Sequence, residues 1–452
     1  MVQPKPDYST LEVDVRDHTL PEAIIKPAYG DALPEAINTT GKEVTAPAAV
    51  PQKSATICGL RRKTFWILLG VILLIVIGVA VGVGAGVGVS KSNDSGSSSS
   101  AATAYQQGIA LNSRLASNNY TDSDGVEHSQ VYYQDNSLAI WVADYNNATG
   151  DWALSEVMAK NNQSDMTPRD GTPIACGNWW HDDDDGSSDF RVLWADQNNS
   201  IRAVYVLDEA YSTSGWSVLQ QFDNFLSIDT NSSLVEYLAG CNQTIGCNSA
   251  DFIGFESSGS SGVKLQWFTN GGSNGQLTAS GGGVSPDAGT AMAVAPIPKI
   301  AKRNDSYPRV AMYLVEDDNL VELYGGTSLN WENNDLTVDG SKIPVDSGAQ
   351  LAATSQYRLD DFNVQILMTK IAGGVKMAYM NGASWSWTNS VDGMEDVMPL
   401  SPIAANQLGR VYAWENGTDT DNEPQLVEWL RITGATPKFQ RIGVVNTTGS
   451  AS

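Results

Sequence analysis

The sequence predicts an all-β protein, a six-bladed β-propeller ectodomain that follows a disordered tail and one transmembrane helix. Three observations lead to this prediction. Residues 65–89 are apolar throughout, a unit of roughly 50 to 60 residues recurs after residue 105, and that region shows short alternating apolar runs instead of helical periodicity. The chain therefore divides into residues 1–60, 65–89, 90–104 and 105–446.

The run Phe65–Val89 carries no charged side chain, and about twenty apolar residues suffice to cross a bilayer as a helix. A cleaved signal peptide would be shorter and would not follow a long hydrophilic segment. Arg61, Arg62 and Lys63 precede the run, whereas only Lys91 closely follows it. The positive-inside rule therefore predicts a single-pass type II membrane protein with a cytosolic N-terminus and an extracellular or lumenal C-terminal region.

The segments on either side of the predicted span are polar. Residues 1–60 have few aromatic side chains and no sustained apolar period, which indicates a disordered cytosolic tail. Within it, Tyr8-Ser-Thr-Leu11 is a candidate sorting signal for a cytosolic partner. Residues 90–104 are rich in Ser and predict a flexible stalk.

The repeat after the stalk consists of a small-residue strand, two strands joined by a tight turn, and an outer strand that carries Trp. Four antiparallel strands cannot bury both faces alone, but several such sheets arranged radially can. A pair of β-sandwiches is the alternative, and it does not explain one period across the whole domain. The six units are recognised by segments that begin at Gln130, Arg191, Val263, Arg309, Val364 and Arg410.

The fourth unit, with Arg309-Val-Ala-Met-Tyr, Asn319-Leu-Val-Glu and then Trp331, resembles the repeat of the fungal fucose-specific lectins. That family consists of six-bladed propellers that bind fucose between adjacent blades without transforming it. The tail, membrane entry and Ser-rich stalk also resemble membrane-anchored fungal proteins that carry this domain. The resemblance implies a membrane-anchored protein that binds fucose or a related glycan without catalysis.

The resemblance implies that Arg309, Glu322 and Trp331 form a sugar site, because Arg donates to sugar oxygens, Glu accepts from hydroxyls and an indole face covers C–H groups. In the sixth unit Arg410 and Glu428 match. There Phe439 takes the terminal Trp position and Trp429 lies beside the Glu. The alternatives are a cross-strand salt bridge for the charged pair and packing between blades for the tryptophans. The other units depart from the pattern at Gln130, Ile140, Ala203, Lys264, Gln365 and Met377.

The sequence offers few candidate residues for metal binding or catalysis. His18, His128 and His181 are the three histidines, too few to suggest a metal site or Ser-His-Asp catalysis, so we predict no cofactor. The run 181–186 favours a solvated acidic loop over a calcium site because it lacks a suitable spacing. No carboxylate pair stands out for glycoside hydrolysis. We therefore predict a protein that is not an enzyme, with an interaction scaffold and a propeller glycoside hydrolase as alternatives.

Cysteines, glycosylation sequons and charge fit the outside of a cell. Cys241 and Cys247 predict a small disulfide loop, and Cys176 has no obvious partner, although other pairings stay open. The net charge of −24 argues against nucleic acid as a partner. Acceptor sequons on the predicted outer side include Asn119, Asn147, Asn162, Asn198, Asn231, Asn242, Asn304, Asn416 and Asn446.

Overall fold

The computed structural model describes residues 56–57, 60–61, 108–158, 166–180, 188–206, 215–219, 226–239, 250–258, 262–267, 276–278, 283–297, 309–325, 331–358, 361–381, 384–417, 423–432, 434 and 436–447. The chain divides into two compact units, residues 1–97 and 98–452. In the first unit, β1 (Thr56–Ile57) and β2 (Leu60–Arg61) pair antiparallel. The second unit contains six four-stranded antiparallel sheets, which confirms the predicted six-bladed β-propeller.

Blades 1 to 3 are each built from four consecutive strands. Blade 1 contains β3 (Ala116–Thr121), β4 (Glu127–Gln134), β5 (Ile140–Asn146) and β6 (Asp151–Met158). Blade 2 contains β7 (Ile174–Trp180), β8 (Ser188–Ala195), β9 (Ile201–Val206) and β10 (Ser217–Val218). Blade 3 contains β11 (Leu234–Ala239), β12 (Ala250–Glu256), β13 (Val263–Trp267) and β14 (Gln276–Thr278).

Blades 4 to 6 follow the same order. Blade 4 contains β15 (Ala293–Ile297), β16 (Arg309–Glu316), β17 (Asn319–Gly325) and β18 (Trp331–Asp335), and a hairpin of β19 (Thr337–Val338) and β20 (Ser341–Lys342) follows it. Blade 5 contains β21 (Leu351–Arg358), β22 (Asp361–Thr369), β23 (Val375–Asn381) and β24 (Ser384–Thr388). Blade 6 contains β25 (Ile403–Ala405), β26 (Arg410–Asn416), β27 (Pro424–Ile432) and β28 (Lys438–Val444).

The ring closes through contacts between blade 6 and blade 1, because each blade is formed by four described strands that are consecutive in the chain. The side-chain amide of Asn406 donates to Oγ of Ser117 at 3.0 Å and to the backbone oxygen of Asn118 at 3.3 Å. The backbone N–H of Gln407 donates to Oδ1 of Asn119 at 2.9 Å. These hydrogen bonds join the innermost strands of the two terminal blades.

The core lies between the blades, because side chains alternate between the two faces of each strand. In blade 4, Ala311 and Tyr313 pack toward blade 5, whereas Val310 and Met312 pack toward blade 3. Small side chains fill the crowded inner strands, as in the buried Ala293 and its neighbours, and larger aromatic side chains fill the wider outer part of each wedge.

A hydroxyl turn precedes the inner strand of five blades. Ser or Thr donates its backbone N–H to the residue three positions earlier, and its side-chain hydroxyl accepts a backbone N–H from the second strand of the same blade. In blade 5 the equivalent residue is Ala349, and there Oγ1 of Thr369 accepts the N–H of Gln350 at 2.9 Å instead. The five hydroxyl acceptors are Ser113, Thr172, Ser232, Thr290 and Ser401, at 2.7–2.9 Å.

Several predictions about single segments fall outside the described residues. They concern residues 1–55 and 58–59 of the predicted disordered tail, the helix at 65–89, the stalk, the loop at 181–186, the Cys241–Cys247 disulfide and the sequons at Asn162, Asn242 and Asn304. The other tail residues, Thr56, Ile57 and Leu60, lie in the paired strands β1 and β2. Within the described parts of the chain, no helix has the length and hydrophobicity to cross a membrane. Cys176 is a free thiol.

The described sequon asparagines differ in their surroundings. Most lie at exposed positions, namely Asn147, Asn198, Asn231, Asn416 and Asn446. Asn119 instead lies on the inner strand β3, where its Oδ1 takes part in ring closure. A glycan attached there would have to extend into the centre of the ring.

Candidate functional site

Blade 6 carries a buried ion pair on the face that packs toward blade 1. Tyr412 on β26 lies directly opposite Glu428 on β27, and Arg410 lies two residues before Tyr412 on the same face. Nη1 of Arg410 donates to Oε1 of Glu428. Arg410 is 8% exposed and Glu428 is 2% exposed. The structure therefore brings together two of the residues predicted for the sixth unit.

Blade 1 supplies aromatic side chains to the same place. The guanidinium carbon of Arg410 lies 4.3 Å from the centre of the Tyr145 ring, a cation–π geometry. Trp152 meets Tyr412 edge to face at 6.2 Å between ring centres, and it lies 5.2 Å from Tyr145. Both blade 1 side chains are partly exposed, so they reach the surface next to the buried ion pair. This cluster of blade 6 and blade 1 residues is called here the candidate pocket.

The Tyr412 hydroxyl connects the ion pair to blade 1. It lies 3.4 Å from Oε1 of Glu428, to which it can donate, and 2.8 Å from Oγ of Ser129. Burial raises the pKa of Tyr412 well above its ordinary value, so its hydroxyl stays protonated. The pocket at the junction of blades 6 and 1 thus holds a cation, an anion, a neutral hydroxyl donor and two aromatic faces.

The charges of Arg410 and Glu428 stabilise each other. Burial lowers the pKa of Arg410, but the nearby Glu428 carboxylate outweighs burial, and the net pKa lies above its ordinary value. Burial also raises the pKa of Glu428, and the charge and hydrogen bond of Arg410 offset only part of this rise. The two side chains are joined by a charge-assisted hydrogen bond, which is stronger than one between neutral groups.

Trp429 does not join this pocket. It follows Glu428 directly in β27, so it lies on the opposite face and packs toward blade 5 with Phe439. Its indole N–H donates to the backbone oxygen of Gly393 at 2.7 Å, and the side chain is 1% exposed. The structure places Trp429 in the core between blades 5 and 6.

Blade 4 repeats the Tyr–Glu pair of blade 6. Tyr313 lies directly opposite Glu322, and its hydroxyl is 3.4 Å from Oε1 of the carboxylate. The side-chain amide of Asn334 donates to Oε2 at 3.3 Å. In this register Ala311 occupies the position of Arg410. Arg309 lies at the start of β16, four residues or about 13 Å of strand before Tyr313, and its side chain is outside the described residues.

Trp331 lies on the other side of blade 4. It pairs with Gly325 in the backbone register and packs toward blade 3, where it meets Phe252 edge to face at 5.5 Å. The side chain is 7% exposed. The structure therefore does not bring Trp331 to Glu322, because the two residues belong to opposite faces of the same blade.

The sequence analysis did not predict that the tryptophan of one unit packs against the preceding blade. Trp152 of blade 1 meets Tyr412 of blade 6 at 6.2 Å and 77°, and Trp385 of blade 5 meets Tyr313 of blade 4 at 6.3 Å and 76°. Both are the second residue of an outer strand. Among the described residues, the buried indole N–H of Trp385 has no hydrogen-bond partner. This contact could have been predicted from the sequence, because successive repeats form neighbouring blades.

Two other junctions use polar residues differently. Between blades 2 and 3, Arg191 pairs with Glu236 of the next blade rather than with its own third strand, where Ala203 lies. Between blades 5 and 6, Arg431 donates to Oε1 of Gln365 at 2.6 Å. Within the described residues, the Tyr–Glu pair therefore occurs at two junctions, blades 4–5 and 6–1.

These features define a six-bladed propeller with clusters of polar and aromatic side chains between its blades. No protein-family model matches the sequence, and no curated protein matches it. Several solved structures are similar to it. A fucose-specific lectin from Aleuria aurantia is 18% identical, with a TM-score of 0.55, over 77% of this chain and 99% of that one. SapL1 lectin in complex with alpha methyl fucoside is 18% identical, with a TM-score of 0.53, over 75% of this chain and 98% of that one.

A mutant of AofleA from Arthrobotrys oligospora is 16% identical, with a TM-score of 0.54, over 75% of this chain and 89% of that one. At these identities the likeness establishes a shared fold. The function of this chain depends on the residues at the junctions between its blades.

Proposed function

We propose that this chain is a non-catalytic, lectin-like protein that binds fucose or a related glycan at the junction of blades 6 and 1. The observation that supports the proposal is the Arg410–Glu428 pair beneath the aromatic rim of Tyr145 and Trp152. A guanidinium retains unused N–H donors and a carboxylate retains unused lone pairs, which suit neighbouring sugar hydroxyls. The apolar edge of a deoxy sugar can lie against an indole face.

The solved lectins with this fold support the choice of ligand, since one is described as fucose-specific and another is in complex with alpha methyl fucoside. The junction of blades 4 and 5, with Tyr313, Glu322 and Trp385, is the second candidate sugar site. Two linked sites would give avidity for a multivalent glycan surface.

The proposal includes the cellular arrangement. The chain is a type II membrane protein of fungal origin, anchored by residues 65–89, with glycans on the propeller and a cytosolic partner for the tail. The apolar run and its basic flank support this part of the proposal.

Binding is tested by applying the full-length chain in lipid nanodiscs to a glycan array, with empty nanodiscs as background. Arg410→Ala removes charged hydrogen bonds worth about 1.5 to 3 kcal/mol, so we expect roughly 10- to 150-fold weaker binding of fucosylated glycans at this site. Arg410→Lys keeps the charge but loses the planar fork, and it should also bind weakly.

Arg441→Ala is the control, because Arg441 forms an ion pair with Glu415 at 2.8 Å in the same blade, at an exposed position outside the pocket. It should bind as the unaltered chain does. An interaction scaffold would be favoured if no glycan binds, or if both Arg410 substitutions leave the affinity for glycans unchanged. Release of product from aryl glycosides would favour a glycoside hydrolase.

A further inference from the structure

A small cavity on the axis of the ring is lined by all six blades where their inner strands begin. Its volume is about 50 Å³, and it is called here the axial mouth. A buried water needs about 10 to 15 Å³, so the axial mouth has room for a molecule of about three to five heavy atoms. Six of its lining residues, one from each blade, are Arg114, Pro173, Ser233, Ala291, Gln350 and Pro402.

The floor of the axial mouth is apolar. It is formed by the residues that directly follow those six in the chain, and each of them is at most 8% exposed. The floor residues are Leu115, Ile174, Leu234, Met292, Leu351 and Ile403. The polar side chains of the axial mouth therefore come from Arg114, Ser233 and Gln350.

Arg114 reaches across part of this opening. Its Nη1 donates to Oε1 of Gln350, although the two residues belong to blades 1 and 5, which blade 6 separates. The Gln350 amide is fixed in this orientation because its Nε2 donates to the backbone oxygen of Gly348 at 3.0 Å and to that of Ala349 at 3.4 Å. The guanidinium of Arg114 is therefore held at the axial mouth by a neutral partner.

The charge of Arg114 has no counterion within the described parts of the chain, where it forms no ion pair with a carboxylate. Arg202 and Arg410, by contrast, each pair with a carboxylate. Burial lowers the pKa of Arg114 below its ordinary value, so the protein destabilises this charge. Charged groups that leave bulk water are as a rule paired, which makes an anion from outside the chain the expected partner.

A second arginine strengthens the demand for an anion. Burial lowers the pKa of Arg169, Asp229 and Asp196 raise it, and the charge of Arg114 lowers it. The two guanidinium groups are thus close enough to repel each other. Arg169 is held by other groups, since Nη2 donates to the backbone oxygen of Thr230 at 2.8 Å. An anion beside Arg114 would relieve the repulsion between the two arginines.

We propose that the axial mouth binds a small carboxylate such as acetate, with its oxygens on Arg114 and its short apolar tail on the apolar floor. A guanidinium carries five N–H donors in a planar fork, and a carboxylate accepts two of them side by side. One methyl group joined to one carboxylate matches the volume of the axial mouth. This site is separate from the candidate sugar sites, because its residues lie at the start of the inner strands.

The probe for this site is acetate, and acetamide is its neutral counterpart of similar shape. Saturation-transfer NMR is carried out with the full-length chain in nanodiscs of zwitterionic lipid, at constant ionic strength and without other carboxylates. Acetate should bind with a Kd on the order of 1 to 10 mM, as expected for so small a ligand. Acetamide should bind at least about tenfold more weakly, because it lacks the charge that pairs with the guanidinium. Empty nanodiscs give the background.

Two variants locate the binding. Arg114→Met keeps the length of the side chain but removes its charge, and it should weaken acetate binding by about tenfold or more. Gln350→Glu places a carboxylate where Oε1 already accepts from Arg114, so it should exclude acetate to a similar degree. Arg441→Ala is the control, because it removes an exposed arginine outside the axial mouth and should leave the acetate Kd unchanged.

The proposal is overturned if acetate gives no saturation transfer at about 30 mM, several times the weakest Kd expected for its size. Equal affinities for acetate and acetamide would also overturn it, as would a folded Arg114→Met or Gln350→Glu chain that binds acetate like the unaltered chain. Circular dichroism and tryptophan fluorescence show whether each variant is folded, and Gln350→Glu decides if Arg114→Met is not. Loss of acetate binding with glycan binding retained would separate this site from the proposed lectin function.

Discussion

The junctions between blades 6 and 1 and between blades 3 and 4 have the same framework and different contents. In each, an outer-strand tryptophan of the later blade packs against the earlier blade, Trp152 on Tyr412 and Trp331 on Phe252. At the first junction the earlier blade also presents Arg410 and Glu428. At the second the same register positions hold Phe252 and Leu265.

This comparison separates what the propeller needs from what a site needs. Both junctions require a large side chain in the outer part of the wedge, where neighbouring blades diverge. Only the first places charged side chains beneath that tryptophan. A tryptophan in the repeat therefore predicts packing, and the residues on the preceding blade decide whether the same tryptophan can also contact a ligand.

The largest expected effect comes from breaking the ion pair at the blade 6–1 junction. Glu428→Ala leaves the Arg410 charge buried without its partner, so we expect the free energy of unfolding to fall by about 3 to 5 kcal/mol. Urea unfolding of the full-length chain measures the change. Because the chain has two units, the propeller transition is followed by tryptophan fluorescence.

Giving blade 6 the two residues that blade 3 carries at the positions of Arg410 and Glu428 tests the same comparison from the other side, with Tyr412 kept where blade 3 has Gly254. The double variant Arg410→Phe, Glu428→Leu should recover most of the lost stability, since well-packed apolar residues can replace a buried ion pair. Glycan binding at the junction should still be absent. If the double variant is as unstable as Glu428→Ala, the blade 6–1 junction cannot accommodate the apolar residues of the blade 3–4 junction.

A smaller effect is expected where the tryptophan only packs. Trp331→Phe leaves a space beside Phe252 and should lower the free energy of unfolding by about 1 to 3 kcal/mol. Glycan binding should not change, because Trp331 faces away from Glu322. Weaker binding to fucosylated glycans in a folded Trp331→Phe chain would contradict the assignment of this side chain to packing.

Much of the arrangement of the blades could be predicted from the sequence. The repeat predicted six four-stranded units, and the resemblance to the lectin repeat implied that Arg410 and Glu428 belong together, which agrees with the ion pair in the structure. The two side chains meet because they lie on one face of two neighbouring strands. The hydroxyl turns could also be predicted, since Ser or Thr stands two residues before an apolar residue at the start of the inner strand in five units, but the prediction did not use them. These apolar residues are Leu115, Ile174, Leu234, Met292 and Ile403.

What the sequence left open depends on contacts between units. The resemblance implied Trp331 as the partner of Glu322, and proximity in the chain suggested Trp429 beside Glu428, yet both tryptophans pack on the opposite face of their blade. The tryptophans that contact the tyrosines paired with these acids, Trp152 and Trp385, come from other units. Register also decides that Ala311 takes the place of Arg410, which spacing in the sequence did not reveal.

At the blade 6–1 junction, the tryptophan should matter more for binding than for folding. Trp152 is partly exposed, so Trp152→Ala removes an aromatic face worth about 0.5 to 1.5 kcal/mol to a sugar, a loss of roughly 2- to 12-fold in affinity. Glycan-array titration of this variant against Trp331→Phe provides the matched comparison. Equal losses of affinity in the two variants would remove the distinction between a packing and a binding tryptophan.

The smallest expected effect is a pH dependence at the junction of blades 1 and 2, where a histidine lies on the face of β4 that packs toward blade 2. His128 lies between two carboxylates, with Nδ1 3.1 Å from Asp144 and Nε2 3.2 Å from Asp122, and its ring stacks on Tyr120. Burial lowers the pKa of His128, but hydrogen bonds and charge from Asp144 and Asp122 outweigh it and raise the net pKa above 6.5.

A raised folded-state pKa means that protonated His128 stabilises the fold. This stabilisation is fully present below the unfolded value of about 6.5 and is lost as the pH rises through the folded-state pKa. Thermal unfolding of the full-length chain should therefore show a fall in Tm above pH 6.5 that His128→Gln lacks. At lower pH a second loss is expected as Asp122 becomes protonated, because backbone and His128 hydrogen bonds outweigh burial and lower its pKa below 3.8. Identical Tm profiles for the two chains between pH 6 and 8 would mean that His128 is held by packing on Tyr120 and not by its charge.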